Sequence, residues 1–156
     1  IEFPDNITQV HFIKLRLRDE KGTEIASNFY WRSDDPYMGK ETLTGPASSG
    51  LEELARLKKA TIKTSCKIRQ DKGLYFVDIL MKNTSSSIAF FNQIQLLDHH
   101  SSPVRPSFYT DNFSSLLPGA TRSVTIETTV NNLKEIQPQL VIKGWNIEQK
   151  TVLLTK

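Results

Sequence analysis

Cysteine is nearly absent. Cys66 stands alone, which rules out an intrachain disulfide and leaves burial and hydrogen bonding to hold the fold. Long apolar runs are missing too, and nothing approaches the roughly 20 residues of a membrane span. Histidine is scarce: His11, His99 and His100 are the only candidate bases for a Ser-His-Asp triad, and no Gly-x-Ser-x-Gly elbow accompanies them. Positive charge is not concentrated, since the net charge is +3 and Lys and Arg occur singly or in pairs, as in "RLKKA". Nucleic-acid binding needs a stripe that neutralises several phosphates together, so that class is excluded. Strands do not alternate with helical patterns, which excludes a parallel α/β sheet, and neither a fixed repeat nor a low-complexity tract occurs. No signal-peptide pattern is present, and the first residue is Ile1 rather than Met. The chain is therefore expected to be a processed product or a fragment of something longer.

What is present is an ordinary globular composition, 38% hydrophobic and 24% charged, arranged with period two. In "VHFIKLRLRD", His11, Ile13, Leu15 and Leu17 alternate with Lys14, Arg16 and Arg18, the pattern of a strand with one dry face. "DEKGT" is a turn with Gly22 at a positive-φ position, and "EIASNFYWR" returns, so residues 10–32 read as a β-hairpin. Residues 33–50 are rich in Pro, Gly, Ser and Asp and read as a loop or linker. Ser49 and Glu52 then have capping-box spacing, with Leu51, Leu54 and Ala55 on one face, predicting a short helix. From Ala60 onward strands and turns alternate, through "ATIKTSCKI", "LYFVDILMK", "IAFFNQIQLL", "RSVTIETTV", "QLVIKGWNI" and "KTVLLT". Val77, Ile79 and Met81 are expected inward, as are Phe90, Ile94 and Leu96. Turns recur about every 8–12 residues, the spacing of a β-sandwich. "FYTDNFSSLLPG" reads as turn grammar, with Leu116 and Leu117 capping the core.

Residues with chemistry have a simpler reading at each position. Cys66 fits a buried strand residue better than a nucleophile. Asp98, His99 and His100 are adjacent in a polar loop, with no further ligand spaced to complete a metal site. Asp34 and Asp35 beside Pro36 lack the alternating oxygens of a calcium loop and read as a turn. The 17 acidic residues offer many carboxylate pairs for glycoside hydrolysis, none singled out by spacing. Asn6, Asn83 and Asn112 each open an N-x-S/T acceptor, and the last two look like turn residues first. Phe29, Tyr30, Trp31, Phe108, Tyr109 and Trp145 could form a sugar-stacking platform, but a sandwich core or a domain interface uses the same residues. Trp31, Tyr109 and Trp145 are the expected buried anchors.

Five stretches, taken in order, resemble one family. "FIKLRLRDEKGTEIASNFYW" (Phe12–Trp31) is similar to the last hairpin of the penultimate domain in glycoside hydrolase family 2 enzymes of the β-mannosidase and exo-β-D-glucosaminidase branches. "LEELARLKKATIKTS" (Leu51–Ser65), "VDILMKNTSSSIAFFNQIQLLD" (Val77–Asp98), "FYTDNFSSLLPGATRSVTIE" (Phe108–Glu127) and "VIKGWN" (Val141–Asn146) resemble the final immunoglobulin-like domain. The resemblance implies an all-β, immunoglobulin-like antiparallel sandwich with an N-terminal hairpin and one short linker helix. Its domains would be 1–32, the last strands of a preceding sandwich; 33–59, a linker; and 60–156, the sandwich itself. The family's catalytic glutamates lie on a barrel of about 250 residues that this chain lacks. The resemblance therefore implies no catalytic, cofactor-binding or metal residue here. It implies a scaffolding role, with the other domains of the parent glycosidase as partners and no nucleic acid or membrane. A secreted, periplasmic or lysosome-like location is inherited from the family. An autonomous carbohydrate-binding sandwich, with oligosaccharide as its partner, is the alternative.

Overall fold

Strong period-two stretches become strands because alternate side chains of an extended backbone fall on opposite faces. The computed structural model describes residues 4, 6–34, 50–129, 133 and 137–154. The chain divides into two compact units, Ile1–Leu57 and Lys58–Lys156.

In the first unit, β1 (Val10–Arg18) and β2 (Glu24–Ser33) form the expected antiparallel hairpin, with Val10 opposite Ser33. Asp19 shapes its turn by accepting hydrogen bonds from the Lys21 and Thr23 amides at 3.0 and 2.7 Å. The dry face is only half dry. His11 is buried and Ile13 half-buried, but Leu15 and Leu17 are 44% and 60% exposed. Two strands supply no opposing layer of their own, so the alternation is kept without the burial it usually accompanies. The predicted helix is a single 3-10 turn, Glu52–Arg56, whose N-cap position is Leu51 with no side-chain cap. Ser49 of the predicted capping box, like Asp35, Pro36 and most of the predicted linker, lies outside the described residues.

The second unit is an antiparallel sandwich. One sheet has the order β10-β9-β5-β7 (Lys150–Leu153, Gln139–Lys143, Ala89–Leu97, Ser114–Leu116). The other has the order β3-β4-β8-β6 (Ile62–Asp71, Leu74–Asn83, Thr121–Thr129, Ser107–Tyr109). The β3–β4 turn places Lys72 and Gly73 at φ 46° and 81°, the doubly left-handed turn whose twist suits a two-residue hairpin. Val77, Ile79, Met81, Val124 and Ile126 of one sheet meet Ile94, Leu96, Leu116, Leu140 and Ile142 of the other in a single core. On the outer face, Arg69 stacks 4.0 Å above Phe76 and bonds Asp78 through Nε at 2.7 Å.

"FYTDNFSSLL" is more than turn grammar. Its two ends are three-residue strands in different sheets: β6 pairs with β8, and β7 pairs with β5. Residues 110–113 carry the chain from one sheet to the other. Strands of three residues have too few alternations to register as period two, which is why the sequence pattern missed them.

Removing the buried Ile126 side chain (Ile126→Ala) should cost about 2–5 kcal/mol through lost burial and the cavity left. Leu80→Ala, at a side chain 46% exposed, should stay within about 0.5 kcal/mol. Urea denaturation of both variants measures the contrast.

Candidate functional site

Between the Ala89–Leu116 and Asn92–Ser114 pairs the β5–β7 ladder slips, so Phe90 and Phe91 together oppose Ser115. This bulge puts Phe91 at φ 53°, a left-handed conformation rare for a bulky residue. Phe113, just before β7, is left-handed as well, at φ 54°. Each such position costs of order 1–3 kcal/mol unless its surroundings hold it. The two rings meet with centroids 5.2 Å apart, tilted by 43°. Phe90, buried beneath, lies 5.8 Å from Phe91 and meets Trp145 edge-on at 6.4 Å and 69°. The result is an aromatic face in which Phe91, Phe113 and Trp145 are 38%, 47% and 56% exposed.

Four asparagines hold this face by pairing backbone groups that the broken ladder leaves over. Asn146 accepts from the Phe90 amide at 2.9 Å and donates to the carbonyls of Lys58 and Ile88 at 2.7 Å each. Asn92, fully buried, donates to the carbonyls of Ala89 and Ser114, both at 2.8 Å, and so bridges the bulge. Asn112 imitates a strand residue: its side chain accepts from the Ile94 amide at 2.8 Å and donates to the Ile94 carbonyl at 3.0 Å. Asn83 donates to the carbonyls of Ser87 and Leu116 at 2.7 and 2.9 Å. Gly144 is required beside this network, because a Cβ there would stand 2.6 Å from Asn92 Oδ1 and 3.1 Å from the Phe90 carbonyl oxygen.

The residues that the sequence suggested for chemistry fall elsewhere. His11 is buried in the hairpin with Nδ1 3.8 Å from Asp34, which also pairs with Arg32 at 2.9 Å. The His99 and His100 rings lie against each other with centroids 3.8 Å apart and tilted by 43°, while Asp98 accepts from the His100 and Ser102 amides and shapes the loop. Among the described residues no three His, Cys, Asp or Glu side chains gather as metal ligands. Asp78 is held below the usual carboxylate range by the Arg69 hydrogen bond, and Glu24 by Ser27; neither is displaced upward as a general acid would be. Burial pushes the Cys66 thiol up, away from nucleophilic reactivity. The side chains of Asn83 and Asn112 are engaged in the fold, whereas Asn6 is exposed.

The expected anchors need correction. Trp145 and Trp31 are exposed, at 56% and 40%, because neither projects into the core: Trp145 follows β9 on the outer rim, and Trp31 lies on the two-stranded hairpin. Tyr109 does anchor. It is half-buried, its hydroxyl accepts from the Leu96 amide at 2.9 Å, and burial raises its pKa. The sequence reading pointed to Phe108–Phe113 and the His99–His100 loop as contact regions but missed Phe91 and Asn146. Phe-Phe-Asn in a strand was a usable signal, because a buried Asn inside an apolar run needs backbone partners that only a break in the ladder provides.

A family model described as the exo-β-D-glucosaminidase Ig-fold domain matches residues 42–147, which include the bulge, both left-handed phenylalanines and Asn146. The chain belongs to this family. Exo-β-D-glucosaminidases of Amycolatopsis orientalis and Arthroderma benhamiae are 29% and 30% identical to it over 157 and 155 residues, covering 94% and 95% of the chain. The crystal structure of A. orientalis exo-chitosanase CsxA superposes over 99% of the chain with a TM-score of 0.82 at 27% identity. In each case this Ig-fold chain spans under a fifth of the relative, 15% and 17% of the two sequences and 19% of the CsxA chain. No helix among the described residues is long and apolar enough to cross a membrane.

Asn146→Ala strips partners from the Phe90 amide and two carbonyls, and each unsatisfied buried group costs about 1–3 kcal/mol. The expected loss is therefore about 3 kcal/mol or more, read as a drop in the urea midpoint. Asn146→Asp keeps the acceptor but turns a buried carboxylate onto the Lys58 and Ile88 carbonyls, and should lose at least as much at neutral pH. Because the Asp78 pKa is lowered in the fold, the stability that Asp78 contributes is present above its unfolded value of about 3.9 and lost as pH falls through the folded value. Asp78→Asn should flatten that part of the acid limb in a series of urea midpoints between about pH 5 and pH 2.

Proposed function

We propose that this chain is a non-catalytic immunoglobulin-like domain at the C-terminal end of a longer exo-acting β-glucosaminidase, where it serves as scaffold. The observation that carries the reading is the coverage: nearly the whole chain aligns with a piece amounting to 15–18% of enzymes named exo-β-D-glucosaminidase. The relatives' names favour this branch over β-mannosidase. In this reading residues 1–32 are the last strands of a preceding sandwich, 33–59 a linker and 60–156 the terminal sandwich. The exposed apolar side chains Leu15, Leu17 and Ile25 of the hairpin support that division, since strands of a complete sandwich would have neighbours to cover them. Its partners are the other domains of the parent enzyme, which supply the catalytic carboxylates, and its location is that of a secreted, periplasmic or lysosomal glycosidase. The tilt of 43° between its exposed Phe91 and Phe113 rings disfavours an autonomous sugar-binding platform, which needs rings lying flat in one plane.

The test is to titrate the purified chain calorimetrically with glucosamine, mannose and short chitosan oligomers while assaying release of nitrophenol from the matching glycosides. The expected outcome is neither heat nor turnover, with β-D-glucosaminide hydrolysis by the longer enzyme. Turnover by the chain that survives repurification would sink the scaffold reading, and saturable heat without turnover would make it a binding module.

A further inference from the structure

We propose that the Phe91–Phe113–Trp145 face is the seat for an uncharged, apolar patch on a neighbouring domain of the same polypeptide. The proposal rests on the reading of this chain as one domain of a longer glucosaminidase and adds to it the contact surface.

Four observations carry it. First, the left-handed positions Phe91 and Phe113 form one ring pair, and Asn92 and Asn112, bonded to the backbone beside them, hold that geometry. Backbone strain held this way marks a surface shaped for contact. Second, the rings form a faceted wedge that suits interdigitating side chains better than a flat sugar. Asp111, two residues before Phe113, is paired with Arg122 at 2.9 Å and so is not presented to an ammonium group. Third, at 38%, 47% and 56% exposure the three rings offer on the order of 300 Å², given about 150–250 Å² for a whole aromatic side chain. A freely associating partner or a second copy needs roughly 800 Å² per side. A tethered neighbour needs far less, because the tether sets a high effective concentration. Fourth, the relatives supply that neighbour: more than four-fifths of each lies outside the region this chain matches.

The experiment introduces Phe113→Asn, and separately Trp145→Ser, into both this chain and the longer enzyme. Asn tolerates the left-handed backbone, so Phe113→Asn should leave the melting temperature of the isolated chain unchanged or higher. In the longer enzyme the same change should lower the melting temperature of this domain. It should also speed hydrogen exchange at the amides of residues 91 and 113 at least tenfold. Equal exchange at these amides in the isolated chain and the longer enzyme, with no variant effect there, would overturn the proposal. A dimer of the isolated chain abolished by Phe113→Asn would overturn it in favour of a second copy. Saturable heat with chitosan oligomers abolished by the same change would overturn it in favour of a sugar surface. Loss of glucosaminide hydrolysis is scored separately. If the longer enzyme shows the exchange and melting signatures but hydrolyses no glucosaminide, the functional reading fails and the docking stands.

Discussion

Buried backbone N–H and C=O groups have to be paired, and this sandwich breaks its own ladders at the place where it builds its most distinctive surface. The β5 bulge and the crossing at residues 110–113 leave amides and carbonyls of both sheets without strand partners. Asn83, Asn92, Asn112 and Asn146 take those partners' places, a carboxamide being the one neutral side chain that can donate and accept as a peptide group does. With this substitution the chain can leave one sheet, enter the other and carry two phenylalanines in a strained conformation without opening the core. Gly144 leaves room for the asparagine side chain on the neighbouring strand.

The core itself is conventional. β4 and β8 supply one wall, β5 and β9 the other; burial alternates along β4, the buried half of β8 and β5 beyond its bulge, while β9 is buried through Leu140–Ile142. A core of this kind tolerates a short, irregular edge, because the central strands carry most of the burial. The edge strands β6 and β7 are consequently free to be three residues long, and the loop between them is free to serve contact.

Among the described residues, Asp19 and Asp98 accept backbone amides in turns, Asp78 and Asp111 pair with arginines, and the two loop histidine rings lie against each other at a tilt of 43°. Asp78 and Glu24 are both held below the usual carboxylate range, by the Arg69 and Ser27 hydrogen bonds.

Much of the fold was legible in the one-dimensional pattern. The β1–β2 hairpin, the five long strands from β3 to β9, the inward set Val77, Ile79 and Met81, and the turn at Pro118–Gly119 follow from period two and turn chemistry, which act between near neighbours in sequence. The aromatic face was not legible. Alternation with Ile94 and Leu96 placed Phe90 inward, as observed, but the left-handed backbone of Phe91 and its meeting with Phe113 come only from the slip against Ser114–Leu116. Asn112 looked like a turn residue and Asn146 drew no notice, because their partners are 18 and 56 residues away. Trp145 was expected as a buried anchor in the core or at a domain interface, and its place outside the core depends on where β9 ends against β5. Local pattern determined which segments are strands and which way their long runs face. Register, bulge and the pairing of leftover backbone groups were decided in three dimensions, because a hydrogen bond between distant residues leaves no period in the sequence.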